Sequence, residues 1–92
     1  MNQRSIQLAK QRNLIDIVIK QGHLHTQSSN CIMIICPFHS EKRPSLAIYE
    51  NGFYCFACSE RGDTIDWIMS SYDLDFIQAV KVLISDKLLL EK

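Results

Sequence analysis

Long apolar segments are missing from this sequence, and their absence excludes a membrane-spanning helix. The longest apolar run, residues 31–35, has the length of a strand, whereas a spanning helix needs about 20 apolar residues. The first ten residues are polar and lack the apolar core of a secretion signal, so we expect a cytoplasmic location and no contact with membranes. In that reducing compartment, clustered cysteines bind metals or carry out redox chemistry rather than form structural disulfides.

An excess of positive charge is also missing. Ten Lys and Arg balance ten Asp and Glu, and only residues 1–35 are locally basic. Proteins that bind DNA tightly on their own neutralise many phosphates, so this balance argues against a strong autonomous DNA binder. The sequence shows no Ser/His/Asp arrangement, no phosphate-binding loop and no carboxylates spaced for catalytic magnesium, and we therefore expect no enzyme activity of its own.

Four potential metal ligands stand in two pairs, Cys36 with His39 and Cys55 with Cys58. Each pair encloses two residues, a spacing that lets one tight turn direct both side chains at the same ion. Three thiolates and one imidazole are a donor set that Zn²⁺ binds tetrahedrally, and four protein ligands leave no open position for a catalytic water. The spacing therefore predicts one structural Zn²⁺.

Three further Cys and His residues lie outside these pairs. We expect Cys31 to be a small buried apolar residue on a strand. His23 and His25 fall in a polar segment, residues 23–30, which we interpret as a loop with both imidazoles in solvent.

The rest of the pattern predicts an α+β fold in one domain, residues 1–92. A zinc ribbon of antiparallel β-hairpins and zinc knuckles occupies about residues 31–62, with strands at 31–35, 45–49 and 53–56 and a turn at Asn51-Gly52. Helices are predicted over about 5–20, 63–72 and 75–87, with Asp63 and Asp75 as N-caps and Gly22 after the first helix. Alternatively, Asn13 caps a separate second helix within 5–20.

Three strings in this sequence are more specific than the ligand spacing alone. They are Cys36-Pro-Phe-His39-Ser-Glu-Lys-Arg-Pro-Ser45, Phe53-Tyr-Cys-Phe-Ala-Cys58 and Gly62-Asp-Thr-Ile-Asp-Trp-Ile-Met69. Together with their flanks they resemble the zinc-binding domain of bacterial DnaG-type primases, over roughly residues 14–88. The sequence departs from that family's pattern at Arg43, usually Thr, and at Ala57 and Ser59, which replace common glycines.

The resemblance implies a module that holds one structural zinc and helps to read the single-stranded DNA template where an RNA primer begins. In such primases, polymerisation belongs to a separate domain, and no length remains after Lys92 to build one. We therefore expect a non-catalytic protein that acts with a separate primase, polymerase or helicase partner. Its predicted setting is a bacterium, or a phage or mobile element expressed in one.

Four residues are candidates for contact with nucleic acid. Lys42 and Arg43 follow the first knuckle and are placed to hold phosphates; the alternative is a solvated turn. Arg61 is a similar candidate beside Glu60. Tyr54 is the candidate for base stacking if its face of the strand is exposed, whereas Phe56 is expected to pack, and Trp67 is expected to join the core.

A second interpretation is a protein-docking module that modulates a replication primase or helicase without binding DNA. The neutral net charge favours it, and the apolar residues 88–90 are its predicted contact, unless they are only a frayed helix end. The two interpretations differ in whether binding to DNA weakens with salt.

Overall fold

A computed structural model of the chain describes residues 3–38 and 43–85. The described part confirms the α+β class. It contains four helices, α1 (Gln3–Lys10), α2 (Leu14–Lys20), α3 (Thr64–Tyr72) and α4 (Phe76–Ser85). It also contains five strands, β1 (Thr26–Gln27), β2 (Ile32–Ile35), β3 (Pro44–Tyr49), β4 (Gly52–Cys55) and β5 (Arg61–Asp63).

The five strands form one antiparallel sheet in the order β1-β2-β3-β4-β5, so that strands consecutive in the chain are neighbours. One face of the sheet is buried against the helices by alternate side chains of β2, β3 and β4: Ile32, Ile34, Leu46, Ile48, Phe53 and Cys55. We call the opposite face the outer face. The three predicted strands are present, but β1 lies in the predicted loop 23–30 and β5 was not predicted.

The amino-terminal segment forms two helices, so the prediction of one helix over 5–20 is wrong and the alternative start at Asn13 is confirmed. Asn13 Oδ1 accepts a hydrogen bond from the Asp16 N–H at 3.3 Å. The chain also bends here because the Leu14 N–H donates to the Glu50 carbonyl in the β3–β4 turn, at 2.8 Å. Gly22 adopts a left-handed φ of 92° and follows the end of α2, as predicted.

Both carboxy-terminal helices begin at the predicted caps. Asp63 Oδ1 accepts from the Asp66 N–H and Asp66 Oδ2 accepts from the Asp63 N–H, each at 2.9 Å. At α4 the reciprocal pair is Asp75 and Gln78, at 2.8 and 3.1 Å. The predicted end of α4 at residue 87 lies outside the described residues. Within those residues, every helix is too short or too polar to cross a bilayer.

Candidate metal centre and outer sheet face

Three thiols meet at one end of the sheet. Cys36 follows β2, Cys55 ends β4, and Cys58 lies in the turn after β4. Their Sγ atoms all lie within 4.8 Å of one another, and Cys36 Sγ is 4.0 Å from Cys58 Sγ. A tetrahedral ion with Zn–S bonds of about 2.3 Å holds its sulfurs about 3.8 Å apart, so this cluster fits Zn²⁺ after a small contraction. His39, the fourth predicted ligand, lies outside the described residues.

Backbone hydrogen bonds set the path of the turn that carries Cys58. The Cys55 N–H donates to the Glu60 carbonyl at 2.8 Å, and the Ser59 N–H donates to the Cys55 carbonyl at 2.9 Å. Ser59 has a φ of 66°, which is in the left-handed region that glycine adopts more easily. Of Ala57 and Ser59, the two departures from the resemblance in this turn, only Ser59 has a positive φ. The two hydrogen bonds therefore hold Ser59 in this conformation although it has a side chain.

Burial controls the protonation of one thiol of the cluster, that of Cys36. Cys36 is almost fully buried, and its removal from water raises the pKa of the thiol to about 12, with the neighbouring Cys55 adding to the effect. Without a metal the Cys36 thiol therefore stays protonated at neutral pH, and Zn²⁺ must displace that proton when it binds. Ser45 Oγ lies 3.6 Å from Cys55 Sγ, where it can donate to a thiolate.

The outer face brings together two of the candidates for nucleic-acid contact, Tyr54 and Arg61, with a third side chain, Phe56. The Tyr54 side chain points to the opposite face of β4 from the buried Phe53 and Cys55, and it is partly exposed. Arg61 is its direct partner across the β4–β5 pair, so both side chains lie on the same face. The Phe56 ring lies 5.1 Å from the Tyr54 ring, in an edge-to-face contact. Arg43 is exposed just before β3, and Lys42 lies outside the described residues.

The expectation that Phe56 packs is wrong, because its side chain is 64% exposed. The strand ends at Cys55, and the following turn carries Phe56 out of the alternation that would have buried it. No sequence signal indicates this exposure, since it depends on where β4 ends. The structure therefore adds Phe56 to the candidate contact residues beside Tyr54.

Three residues outside the cluster were also assigned from the sequence. Cys31 is buried, as expected, and His25 is exposed, as expected. His23 is partly buried with its ring 5.9 Å from the Trp67 ring, so its assignment to solvent is wrong; burial lowers its pKa. Trp67 is in the core, as expected, and donates its Nε1–H to Gln21 Oε1 at 2.8 Å.

Comparison with known proteins identifies the family. A family model described as the CHC2 zinc finger, the zinc ribbon of DnaG, matches residues 1–90. The DNA primase of Campylobacter jejuni is 38% identical over 80 residues, which are 85% of this chain and 13% of that protein. The DNA primase of Escherichia coli K12 is 35% identical over 78 residues, which are 83% of this chain and 13% of that protein.

A solved structure shares the fold. The crystal structure of the Aquifex aeolicus primase, comprising zinc-binding and RNA polymerase domains, superposes with a TM-score of 0.78 at 24% identity. The superposition covers 94% of this chain and 22% of that one. The three-thiol cluster and the match over nearly the whole chain agree on one structural zinc as the cofactor. This chain belongs to the CHC2 zinc-finger family of DnaG-type primases.

Proposed function

We propose that this chain is a non-catalytic module that binds the single-stranded DNA template during primer synthesis. Its family membership supports a role in priming, and it spans only about 13% of the length of the DNA primases it matches. We propose that polymerisation belongs to a separate primase or polymerase partner. We propose the bacterial cytoplasm as its location, because the matched relatives are bacterial.

In this proposal Cys36, His39, Cys55 and Cys58 bind one Zn²⁺. Bound zinc supplies a structural cross-link and no reaction chemistry, since four protein ligands leave no site for a substrate. Cys36 follows β2, whereas Cys55 and Cys58 belong to β4 and its turn. The ligand set therefore ties these segments together and fixes the direction in which the turn presents Phe56.

The observation that carries the proposal is the group formed by Tyr54, Phe56 and Arg61 on the outer face. An exposed ring in contact with a second ring is a surface on which a DNA base can stack, and such stacking contributes about 1–3 kcal/mol per base. Arg61 stands beside these rings and is exposed, so it can contact the phosphate of the stacked nucleotide. Lys42 and Arg43 remain predicted phosphate contacts beside the first knuckle.

The proposed contacts on the outer face are compatible with a chain that has no net charge. A few phosphate contacts and stacking give a weak, salt-dependent affinity rather than the tight binding of a basic protein. A polymerase partner that holds the same template would add its own contacts and raise the combined affinity.

The docking module remains a second candidate because α4 and α1 expose apolar side chains. Ile77 is 51% exposed, Ile84 42% and Leu8 47%, and α1 packs against α4. Residues 88–90, the contact predicted from the sequence, lie outside the described residues. A docking module would bind a protein partner through such a surface and show no salt-dependent affinity for DNA.

The test is fluorescence anisotropy of a labelled single-stranded oligonucleotide titrated with zinc-loaded protein over a range of salt concentrations. We expect saturable binding that weakens with salt. Arg61→Ala should reduce the log–log salt slope by about 0.7, the value for one phosphate contact on a single strand. Phe56→Ala should weaken binding by about 1–3 kcal/mol and leave the salt slope unchanged.

Two matched variants on α4 serve as controls. Lys81→Ala removes an exposed cation and Phe76→Ala removes a partly exposed ring, and both lie on a helix away from the outer face. Equal losses in the outer-face variants and their controls would contradict the assignment. Unchanged affinity in the Lys42→Ala, Arg43→Ala double variant would remove those two contacts from the proposal. Absence of binding even at low salt would favour the docking module.

A further inference from the structure

A cleft of about 650 Å³ opens on the helix side of the sheet, away from the outer face. It lies between the end of α2, the Pro37-Phe38 stretch after Cys36, and α3. Trp67 stands at its base, with the Phe38 and His23 rings each 5.9 Å from the indole in edge-to-face contacts. Trp67 also contacts Phe53 on the buried face of β4, at 5.3 Å, which ties the cleft to the core.

Polar groups are arranged around these rings. Gln21 Oε1 accepts from Trp67 Nε1–H at 2.8 Å, and Gln21 Nε2 donates to the Tyr72 hydroxyl at 3.2 Å. Both ends of the Gln21 amide are thus used within the protein, and this holds the indole and the Tyr72 ring in place. The Tyr72 hydroxyl keeps its own proton to donate, and the hydroxyls of Ser70 and Ser71 line the same wall.

The cleft is electrically neutral as far as its described lining shows. None of the described lining residues is Lys, Arg, Asp or Glu. His23 is the one titratable imidazole among them, and burial lowers its pKa, which keeps the ring neutral at neutral pH. A lining of rings, hydroxyls and no cations does not suit a phosphate group, but it suits a neutral planar ring with hydrogen-bonding edges.

We propose that this cleft binds one nucleobase, with the ring against the aromatic side chains and its polar edge toward the hydroxyls of Ser70, Ser71 and Tyr72. The volume falls in the range of about 300–1,000 Å³ typical of small-molecule sites, so a nucleoside fits. The sugar and any phosphate remain outside the cleft, since its described lining residues offer no counter-charge. The base has two possible sources, a template strand or a free nucleotide, and the recognition chemistry is the same for both.

The cleft is separate from the outer face, and binding of a base in the cleft does not require stacking on the outer face. Phe53, which contacts Trp67, and Tyr54, which belongs to the outer face, point to opposite sides of β4. Variants of Phe56 and Arg61 therefore leave the cleft intact, and variants of the cleft leave the outer face intact.

Trp67 is the only tryptophan of the chain, so its indole N–H gives a single NMR resonance at the base of the cleft. The experiment titrates adenosine, guanosine, cytidine and thymidine into zinc-loaded, ¹⁵N-labelled protein and follows that resonance. We expect at least one nucleoside to shift it saturably, and its 5′-triphosphate to bind within about twofold, because the described lining residues offer the phosphates no cation. A shift produced by single-stranded oligonucleotides but not by nucleosides would support the proposal with the template strand as the source.

Variants test whether the shift of the Trp67 resonance reports binding in the cleft. Ser71→Phe adds a ring on the exposed side of α3 that fills the cleft, and it should abolish the shift. The control, Lys81→Phe, adds the same ring on α4 and should preserve the shift. Tyr72→Phe keeps the ring but removes the hydroxyl, and should weaken binding several-fold. Phe56→Ala and Arg61→Ala should have no effect on the shift that nucleosides produce. A shift that persists in Ser71→Phe, or no shift with any nucleoside or oligonucleotide, would overturn the proposal.

Discussion

Ser59 holds a backbone conformation that disfavours a side chain, one residue after the last cysteine of the cluster. Its φ of 66° lies in the left-handed region, where a residue with a Cβ loses about 1–2 kcal/mol. The hydrogen bonds of the Cys55–Glu60 turn keep it there. These hydrogen bonds of the turn therefore offset the steric cost of the Ser59 conformation.

Replacing Ser59 by Gly should stabilise the zinc-loaded protein by about 1 kcal/mol, since glycine adopts this conformation without steric cost. Chemical denaturation monitored by circular dichroism measures the change. Ser70→Gly is the control, because Ser70 lies in the interior of α3, where glycine should destabilise by about 0.5–1 kcal/mol. A loss of stability in Ser59→Gly would contradict the argument.

His23 should make the stability of the domain sensitive to mild acid. Burial lowers its pKa below the usual 6.5, so the unfolded chain takes up the proton first. The stability that neutral His23 contributes is complete above pH 6.5. It is lost as the pH falls through the lower pKa that His23 has in the folded protein. Acid also protonates the zinc ligands, so the comparison that isolates His23 is wild type against His23→Gln.

The measurement is the unfolding free energy as a function of pH between neutral and mildly acidic conditions. His23→Gln should lose less stability on acidification than wild type. The exposed His25 provides the matched control, and His25→Gln should follow the wild-type curve. Identical curves for wild type and His23→Gln would show that the imidazole titrates freely.

At the scale of helices and strands, β5 and α3 are joined without a loop. Gly62 in β5 lies so close to α3 that an added Cβ would be 2.7 Å from Asp66 Cβ, which explains the glycine. Asp63 ends β5 and caps α3 through its reciprocal bonds with Asp66. The capping box therefore connects the strand beside the outer face to the helix that carries Trp67.

Asp63→Ala should destabilise the domain by about 1 kcal/mol, because it leaves the Asp66 N–H without its carboxylate partner. Thermal unfolding of the zinc-loaded protein measures the loss. Glu60→Ala is the control: it removes an exposed carboxylate nearby, while the bond that Glu60 makes to Cys55 uses its backbone carbonyl and survives. An equal loss in both variants would indicate a general charge effect.

Sequence patterns predicted the elements that bury apolar side chains or carry strong caps. β2, β3 and β4 were found because Ile32, Ile48 and Phe53 belong to apolar or alternating runs, and α3 because Asp63 precedes a periodic stripe. β1 and β5 were missed because Thr26–Gln27 and Arg61–Asp63 are short and contain no apolar residue. They are strands only because a neighbouring strand offers hydrogen bonds.

The candidate site, too, was predicted only in part from the sequence. The spacing of Cys36, Cys55 and Cys58 predicted a shared ion, and the structure brings their sulfurs together. The exposure of Phe56 and the burial of His23 depend on contacts between distant segments, which local sequence does not encode. Gln21 was missed for that reason, since its partners Trp67 and Tyr72 follow it by 46 and 51 residues.

At the scale of the whole molecule, a chain of 92 residues has a small core, so we expect the bound metal to contribute much of its stability. Structural zinc sites supply on the order of 10–16 kcal/mol in zinc-finger peptides. Cys55→Ser should therefore lose zinc and unfold, which zinc analysis and circular dichroism detect. Cys31→Ala removes a buried thiol outside the cluster and should keep both zinc and fold. A folded, metal-free Cys55→Ser protein would contradict this expectation.

The order of the strands bears on how quickly the domain forms. Each strand pairs with the one before it in the chain, so the sheet assembles from local hairpins with little loop-closure entropy. Folding rates rise as the sequence separation between contacting residues falls. Closing each hairpin takes on the order of microseconds, whereas capture of a scarce ion depends on its concentration. We expect metal supply, rather than the search for the right strand pairing, to set the time a newly made chain needs to mature.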